Sequence, residues 1–458
     1  MNERSIFPDD FIWSVSTSAY QFEGARDLDG KGLSIQDVKT DGKGNIRTAM
    51  DHYHRYKEDV ALLGKLGING YRFSISWSRI IPDGSGEINT KGLEFYHNVI
   101  NECLKYGIKP IVTMYHDDMP YSLAVKGGWS NKETVDYFVR YCRILFEEFG
   151  KDVAFWQPIC EQNLLTIENL VRRDRSHKEV FEENHNMFLA QARVFKMYHD
   201  MKLPGKIGPA LNLVTVYPDT SSPWDLLACR NMEQLRNWMY LDLAVNGEYS
   251  RATLALLEKL KRKPDITDED MKILKEGTCD YVSFSCYTSV CVKAWDEGSV
   301  KDETGMKYGF NMPGLFKIVP NRHLGYTEFA SEVDPIGTRI IINDVYNRYH
   351  KPVLSIQRGY GCKEEIAYDG CVHDEKRISY LKLQLEQLEK VIEDGTELLG
   401  YCSWSGFDVV STSNGVDKRY GMIYIDVDNE GQGSFRRIPK DFYYWFKKVI
   451  ENKGKRYD

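Results

Sequence analysis

Short apolar segments with strand character alternate with longer segments of helical period along most of the chain. Helices are predicted at residues 51–66, 90–105, 131–149, 178–201, 377–393 and 440–451. The strand candidates are FIWSVST from Phe11, INGYRFSIS from Ile68, IKPIVTMYH from Ile108, VAFWQPICE from Val153, KIGPALNLV from Lys206, YVSFSCY from Tyr281, PVLSIQ from Pro352 and ELLGYCSW from Glu397. This alternation is typical of parallel βα units.

Eight predicted strand–helix units favour an α/β fold, a closed (β/α)8 TIM barrel, that occupies residues 1–458 as a single domain. The alternative is a doubly wound open sheet, but no G-x-G-x-x-G motif follows the first strand. Thr90 is expected to cap its helix, and Gly67 and Gly107 to adopt the left-handed backbone just past helix ends. The aperiodic segment 295–332 is predicted to be a large loop after the sixth strand.

Polar and aromatic residues follow the predicted strands at their C-terminal ends, where barrel enzymes carry their chemistry. Each of them alone is an ordinary rim residue. Together they form a ring of hydrogen-bonding groups and aromatic faces that suits a polyhydroxylated ligand. They are Gln21, Arg72, His116, Asp117, Asp118, Glu161, Tyr287, Gln357 and Trp404.

Charge and composition exclude several other classes. The formal net charge is −7 and no long basic run occurs, so binding to nucleic acid has no electrostatic support. No apolar run approaches the length of a membrane span, and the charged start MNERSIFPDDF lacks a signal-peptide core. The ten cysteines form no C-x-x-C pair, which argues against zinc and redox motifs. We therefore expect a reduced, cytoplasmic protein without a metal or cofactor.

Several long motifs occur in the order found in glycoside hydrolase family 1, the family of β-glucosidases and 6-phospho-β-glucosidases, which the chain resembles from Phe7 to about Lys448. FIWSVSTSAYQFEGA resembles the family's N-terminal signature, and GINGYRFSISWSRIIP is nearly intact. YHDDMP resembles Y-H-W-D-L-P, and VAFWQPICEQN resembles the W-x-T-x-N-E segment. CDYVSFSCYTS resembles the segment with the active-site tyrosine, and PVLSIQRGYG aligns with the nucleophile segment that usually ends in E-N-G-x-G.

The resemblance implies a retaining mechanism, in which two carboxylates about 5–5.5 Å apart lie at the ends of strands four and seven. The acid/base maps onto Glu161, and Arg72 onto the family's cation beside the nucleophile. The nucleophile position is Gln357. The implied sugar-binding residues are Gln21, His116, Tyr287 and Trp404, with a small-molecule β-glycoside as the ligand.

The chain departs from the family pattern at several active-site positions. An amide at Gln357 carries no negative charge and attacks an oxocarbenium-like centre poorly, so the usual covalent intermediate is expected to be inaccessible. Cys160 replaces an Asn that donates to the sugar 2-hydroxyl, and a thiol donates weakly. Pro158 and Arg358 replace a Thr and an Asn. We therefore predict that standard retaining hydrolysis is lost or strongly reduced, and that the changes reflect natural divergence rather than one engineered Glu→Gln substitution.

Asp117 stands where the family motif has Trp. If either Asp117 or the neighbouring Asp118 reached the α face of the anomeric carbon, it could replace the missing nucleophile or activate water. The simpler alternative, which we favour, is that Asp117 pairs with Arg358 or another cation.

A second set of residues near the C-terminus indicates phosphate recognition. Ser411 replaces the Glu with which ordinary β-glucosidases grip the outer sugar hydroxyls. Ser411, Lys418 and Tyr420 resemble the phosphate-binding trio of the 6-phospho-β-glucosidase branch, since one ammonium and two hydroxyls can hold a phosphate dianion. The expected ligand is a 6-phospho-β-glucoside.

Three interpretations of function stay open at this point. The first is a slow or altered 6-phospho-β-glucosidase, the second a catalytically silent sugar-phosphate-binding protein, and the third an ordinary β-glucosidase with designed changes. The sequence does not define the aglycone, the gluco or galacto preference, or whether the chain forms a homo-oligomer.

Overall fold

A computed structural model describes residues 6–39, 44–172, 176–296 and 309–454. Its centre is a barrel of eight parallel strands, numbered here as barrel strands only. They are β1 Ile12–Ser16, β2 Gly70–Ser74, β3 Lys109–Tyr115, β4 Phe155–Ile159, β5 in two segments Lys206–Ile207 and Ala210–Asn212, β6 Val282–Ser285, β7 Val353–Arg358 and β8 Leu398–Trp404. Each one coincides with a predicted strand.

Pairing runs around the whole ring in chain order. β1 pairs with both β2 and β8, with Ser14 opposite Gly70 and Cys402. The first segment of β5 pairs with β4 and the second with β6, and a parallel bridge from Cys160 to Ala210 joins the edge of β4 to the second segment. The sheet therefore closes, which confirms the predicted (β/α)8 barrel.

The helices form the outer layer of the barrel. All six predicted helices are present, with ends shifted by at most a few residues. Further helices were missed, mainly in the stretch after β5. The helices of eight or more residues are His52–Leu66, Thr90–Lys105, Glu133–Phe149, Gln162–Arg172, His177–Asp200, Pro223–Glu233, Arg251–Lys259, Asp268–Glu276, Pro335–Tyr349, Glu375–Glu393 and Asp441–Glu451.

Short helical turns complete the described layer and are listed here by their bounds. They are Ala19–Phe22, Ile35–Val38, Trp77–Ile80, Tyr121–Ala124, Gly128–Ser130, Gln234–Trp238, Met239–Leu241 and Asp242–Asn246. Among the residues described, no helix is both long and apolar enough to cross a membrane.

Two helix-end predictions can be compared directly with the backbone. Gly67 and Gly107 have φ of 88° and 70°, so both adopt the predicted left-handed conformation. The prediction for Thr90 is wrong, because Thr90 is the first helical residue and Asn89 is the N-cap. Asn89 instead donates from Nδ2 to the carbonyls of Asp29 and Arg79, which ties the helix start to neighbouring loops.

The prediction of one irregular loop at 295–332 is wrong in its described part. Phe316–Val319 pairs antiparallel with Val290–Ala294, which in turn pairs with Val216–Pro218. A short ribbon of Gly325–Tyr326 with Glu332–Val333 also lies in this stretch, and a second ribbon pairs Ile423–Ile425 with Arg437–Pro439 near the C-terminus. Residues 297–308 of this prediction lie outside the described residues.

The barrel strands are buried on both faces, which explains why they read as apolar runs without strict alternation. One face packs inside the barrel in a small cluster that includes Ile12, Ile111, Phe155 and Leu354. The other face joins the larger core under the helices. This double burial leaves the C-terminal strand ends as the place where polar side chains converge.

Candidate active site

A pocket of about 150 Å³ opens at the C-terminal ends of the barrel strands. It brings together ten of the residues that the sequence selected: Gln21, His116, Asp117, Cys160, Glu161, Tyr287, Gln357, Trp404, Ser411 and Tyr420. The remaining selected residues, Arg72, Asp118 and Lys418, are buried and do not line the pocket.

Glu161 follows β4 directly and has a φ of 50°, an uncommon conformation for a side chain of this size. Its Oε1 accepts a hydrogen bond from Asn212 Nδ2 at 3.0 Å and another from Ser285 Oγ. The two donors come from the ends of β5 and β6, so the barrel itself orients the carboxylate. Sequence reasoning missed both, although each lies at the end of a predicted strand.

Gln357 lies near the end of β7 with a φ of 49°, and it is almost fully buried. Its Oε1 is 3.5 Å from Cys160 Sγ. Left-handed backbone at non-glycine residues concentrates at functional sites, where the surrounding structure holds it in place. Glu161 and Gln357 share this property in one pocket.

Arg72 lies behind the wall that Cys160 and Gln357 form. Its Nε donates to Gln157 Oε1 at 2.5 Å and its Nη2 to Cys160 Sγ at 3.2 Å. Its Nη1 has no hydrogen-bond partner among the described residues. Burial raises the pKa of the Cys160 thiol to about 12, so this contact of Arg72 is a neutral thiol at neutral pH.

Three of the expected sugar-binding residues are tied to their surroundings. Gln21 accepts from Ser18 Oγ at 2.6 Å and donates to the Val410 carbonyl at 2.7 Å. The His116 ring stacks on Trp404 with centroids 6.2 Å apart. Burial, and then Arg72, lower the pKa of His116 to about 3, so the ring is neutral at physiological pH.

Asp117 is paired, but not with Arg358. Its carboxylate accepts from Gln36 Nε2 at 2.7 Å and lies 3.8 Å from Lys39 Nζ. The predicted pairing with another cation is therefore correct, whereas the pairing with Arg358 is wrong. Arg358 points into the helix layer, where its guanidinium donates to Ser355 Oγ, the Cys286 carbonyl and Thr338 Oγ1.

Asp118 is fully buried and accepts from the His116 backbone N–H at 3.3 Å. Its Oδ2 has no hydrogen-bond partner within the described parts of the chain. Burial raises the pKa of Asp118 to about 7, so much of this carboxyl stays protonated near neutral pH.

Of the predicted phosphate trio, Ser411 and Tyr420 line the pocket, while Lys418 lies against Tyr420. Lys418 Nζ is 5.2 Å from the centroid of the Tyr420 ring and 4.7 Å from that of Phe329. Gly361 allows this packing, since a Cβ there would lie 2.5 Å from Lys418 Cε. This glycine ends the PVLSIQRGYG motif, so its position was visible in the sequence but its partner was not.

Backbone pairing brings the trio to the end of β7. Cys362 and Arg419 exchange two backbone hydrogen bonds of 3.0 Å each. The Arg419 guanidinium then donates to Asp408 Oδ2 at 2.8 Å. The loop that carries Lys418 and Tyr420 is thus fixed on both sides.

Sequence reasoning missed further residues in the pocket wall, because they lie in loops, in the turn Ala19–Phe22 or in the helix Gln162–Arg172, without a strand to mark them. These are Tyr20, Lys39, Leu164, Leu165, Glu168 and Thr412. Among the described residues, no group of three or more His, Cys, Asp or Glu side chains is arranged to hold a metal ion.

Comparisons with known proteins agree on one family. The model of glycosyl hydrolase family 1 matches residues 3–455. The chain is 38% identical to the aryl-phospho-beta-D-glucosidase BglC of Bacillus subtilis and 37% identical to the phospho-cellobiase of Klebsiella oxytoca, each alignment covering 98% of both chains. It is also 37% identical to the 6-phospho-beta-glucosidase of Dickeya chrysanthemi, again over 98% of both.

A solved structure shows the same fold. The beta-glucosidase from Thermotoga maritima in complex with castanospermine matches with a TM-score of 0.87 and 34% identity, over 98% of this chain and 99% of that one. The match therefore extends across almost the whole of both chains. The chain belongs to glycosyl hydrolase family 1, a family of glycosidases.

Proposed function

We propose that this protein acts on the O-glycosyl bond of 6-phospho-β-glucosides, with Glu161 as the proton donor. The observation that carries the proposal is the convergence of Glu161, Ser411 and Tyr420 on one pocket. A carboxyl group is held at one side by Asn212 and Ser285, while hydroxyl groups face the same space from the C-terminal loop. This arrangement suits proton transfer to a leaving oxygen of a bound sugar.

Hydrolysis by the usual two steps is expected to be slow. In the first step a carboxylate must attack the anomeric carbon while Glu161 protonates the leaving oxygen. Gln357 offers a neutral amide at the nucleophile position, and Cys160 offers a weak donor at the position of the family's Asn. Asp117 is engaged by Gln36 and Lys39, which argues against its use as a replacement nucleophile.

Phosphate preference is proposed on the charge of one side chain. Lys418 is the cation of the trio, and it is 3% exposed beside the pocket-lining Tyr420. A phosphate dianion at Ser411 and Tyr420 would gain a charge-assisted interaction there, whereas an unphosphorylated sugar would not. The names of three relatives, two phospho-β-glucosidases and a phospho-cellobiase, support this preference.

A catalytically silent sugar-phosphate-binding protein is the second candidate, and Gln357 is the observation that favours it. Glu161 argues against silence, because its two hydrogen bonds maintain a carboxyl group that binding alone does not require. An ordinary β-glucosidase with designed changes is disfavoured by the number of departures. We also propose one domain over residues 1–458 and a cytoplasmic location, consistent with ten free thiols.

Turnover of 4-nitrophenyl β-glucoside and of its 6-phosphate, measured side by side, tests the proposal. We expect slow turnover of the phosphate only, and we expect Lys418→Ala to remove the difference in KM between the two substrates. The matched control is Lys447→Ala on an exposed helix face, where Lys447 pairs with Glu451 at 3.9 Å. Equal turnover of both substrates by the parent protein would refute the phosphate preference, and no turnover of either would favour the silent candidate.

A further inference from the structure

A second cavity of about 450 Å³ adjoins the pocket. The two cavities share four lining residues: Lys39, Asp117, Leu165 and Glu168. The larger cavity, which we call the side chamber, extends from these residues towards the turn at Gly127–Gly128 and the helix His177–Asp200. Its volume lies in the range of small-molecule sites.

The chamber walls combine aromatic faces with hydrogen-bonding groups. Tyr115 and Trp129 contribute rings, and Glu183 and Asn169 contribute polar atoms. Trp129 is 4% exposed, so only an edge or face of its ring meets the chamber. An aromatic face beside polar groups fits the alternating C–H and hydroxyl surfaces of a sugar ring.

Asp117 stands at the junction of the two cavities. Its backbone has a φ of 53°, and its carboxylate is held by Gln36 and Lys39. The family motif Y-H-W-D has Trp at this position. Because Asp117 lines both cavities, an indole there would have to occupy part of one of them. The shorter aspartate side chain therefore leaves more open space between the pocket and the chamber than Trp would.

Charge distinguishes the two ends of this combined space. Among the described residues that line the chamber, three carry carboxyl groups, Asp117, Glu168 and Glu183, and one, Lys39, carries an ammonium that is already paired with Asp117. These described residues offer a phosphate group little, whereas Lys418 lies at the other end of the combined space, beside Tyr420. The chamber thus suits a neutral group.

We propose that the side chamber receives a second, neutral hexose attached to a ring hydroxyl of the phosphorylated sugar in the pocket. The protein would then recognise branched 6-phosphoglycosides, which a pocket closed by Trp would exclude. This inference rests on the proposed function, because it places the phosphorylated ring in the pocket.

Calorimetric binding tests the inference without requiring turnover. The probes are glucose 6-phosphate and the three disaccharides that carry an unphosphorylated β-glucosyl group on its 2-, 3- or 4-hydroxyl. We expect one disaccharide to bind at least about tenfold more tightly than glucose 6-phosphate, a difference of about 1.4 kcal/mol. Asp117→Trp is expected to remove that advantage.

Ala124→Trp provides a second variant that leaves the pocket residues unchanged. Ala124 lines the chamber only and is partly exposed, so an indole there would fill the chamber from its rim. The matched control is Ala252→Trp on the exposed face of the helix Arg251–Lys259. We expect A124W to weaken the disaccharide about tenfold and glucose 6-phosphate little, and A252W to change neither.

The outcomes separate this inference from the proposed function. If glucose 6-phosphate does not bind, the phosphate proposal fails. The chamber can then be tested with the unphosphorylated disaccharides, whose affinity A124W should still lower. Equal affinities for all four probes, or no effect of A124W on the disaccharide, would overturn the inference. If A124W instead weakens only an aryl β-glucoside 6-phosphate, the chamber holds the leaving group and the inference is wrong.

Discussion

Two regions of buried charge differ in how their charges are compensated. In the first, three cations and three carboxylates neutralise one another: Arg377, Lys440 and Arg419 with Asp374, Glu364 and Asp408. In the second, Arg72 is fully buried and contacts an amide oxygen and a thiol instead of a carboxylate. The first region supports the C-terminal loop, and the second lies under the pocket.

The difference lies in the partners: the first region compensates its charges with opposite charges, and Arg72 relies on neutral groups. Burying a charge is costly unless partners compensate it, and the C-terminal network meets that requirement. Burial alone would raise the pKa of Asp408, but Lys440 and Arg419 hold it below its usual value. Arg72 lacks such a partner, and the residue that we propose for the nucleophile position near it is the neutral Gln357.

Lys440→Met should produce the largest loss of stability, because it leaves Glu364 and Asp408 without their shared cation. We expect the free energy of unfolding to fall by about 3–5 kcal/mol, measured by urea denaturation. The control Lys447→Met, on the exposed face of the same C-terminal helix region, should change it by less than about 0.5 kcal/mol. A loss for Lys440→Met within that control range would mean that the network is not compensated as described.

Gln357→Glu would add a carboxylate near Arg72, so that this buried cation would gain an opposite charge like the cations of the C-terminal network. We expect kcat/KM for an aryl β-glucoside 6-phosphate to rise on the order of 100-fold, about 2.7 kcal/mol of transition-state stabilisation. Gln357→Asn is the control and should give no gain. If Gln357→Glu also gives none, Cys160 is the limiting departure, and adding Cys160→Asn should then restore activity.

Arg72→Met should cost less stability than Lys440→Met, because no contacting carboxylate is left behind. The loss of its hydrogen bonds to Gln157 and Cys160 is expected to lower the free energy of unfolding by about 1–2 kcal/mol. The same denaturation series measures it. A loss equal to that of Lys440→Met would show that a carboxylate compensates Arg72 after all.

Asp118 differs from the carboxylates of the C-terminal network, because among the described residues it is buried without a paired cation and can become neutral by keeping its proton. We expect its effect on stability to be smaller and to depend on pH. The folded pKa of Asp118 is about 7 and the ordinary value is about 4, so between these pH values only the folded state holds the proton and this group lowers stability as pH rises. Asp118→Asn removes that effect. We compare the free energy of unfolding of Asp118→Asn with that of the parent protein. Because local relaxation limits the effect, the variant should gain about 1 kcal/mol more at pH 8 than at pH 4.

Thermal or chemical denaturation at pH 4, 6 and 8 checks this prediction. His116 titrates in the opposite sense, because its folded pKa of about 3 leaves only the unfolded state protonated below pH 6.5. Its contribution is common to parent and variant, so the difference between the two isolates Asp118. A gain that is the same at every pH would contradict the assignment.

The predictable part of the fold is the part whose burial is uniform. Barrel strands are covered on both faces, and this produces apolar runs that stand out in the sequence. The helices after β5 are only 9 to 11 residues long, which leaves little periodic signal. The strand Phe316–Val319 was missed because it forms only by pairing with Val290–Ala294. Short strands defined by a distant partner leave little local signal.

The same distinction holds for the site. Motif order identified Glu161, Gln357 and the residues around them, and the chain topology brings them to one end of the barrel. Asn212 and Ser285 were missed because their role depends on a contact with Glu161 from other strands. The pairing of Asp117 with Lys39 rather than Arg358 depends on the direction in which the Arg358 side chain leaves β7, towards Thr338 in the helix layer.

The sequence by itself determined the barrel and the family, because both are written in local runs and motifs, and it predicts that Gln357 stands at the nucleophile position. Only the tertiary structure decided which buried charges are compensated, that Gly361 makes room for Lys418, and that a side chamber meets the pocket at Asp117. These are properties of distances between residues remote in the chain. Side-chain packing sets such distances, and the order of residues along the chain does not display them.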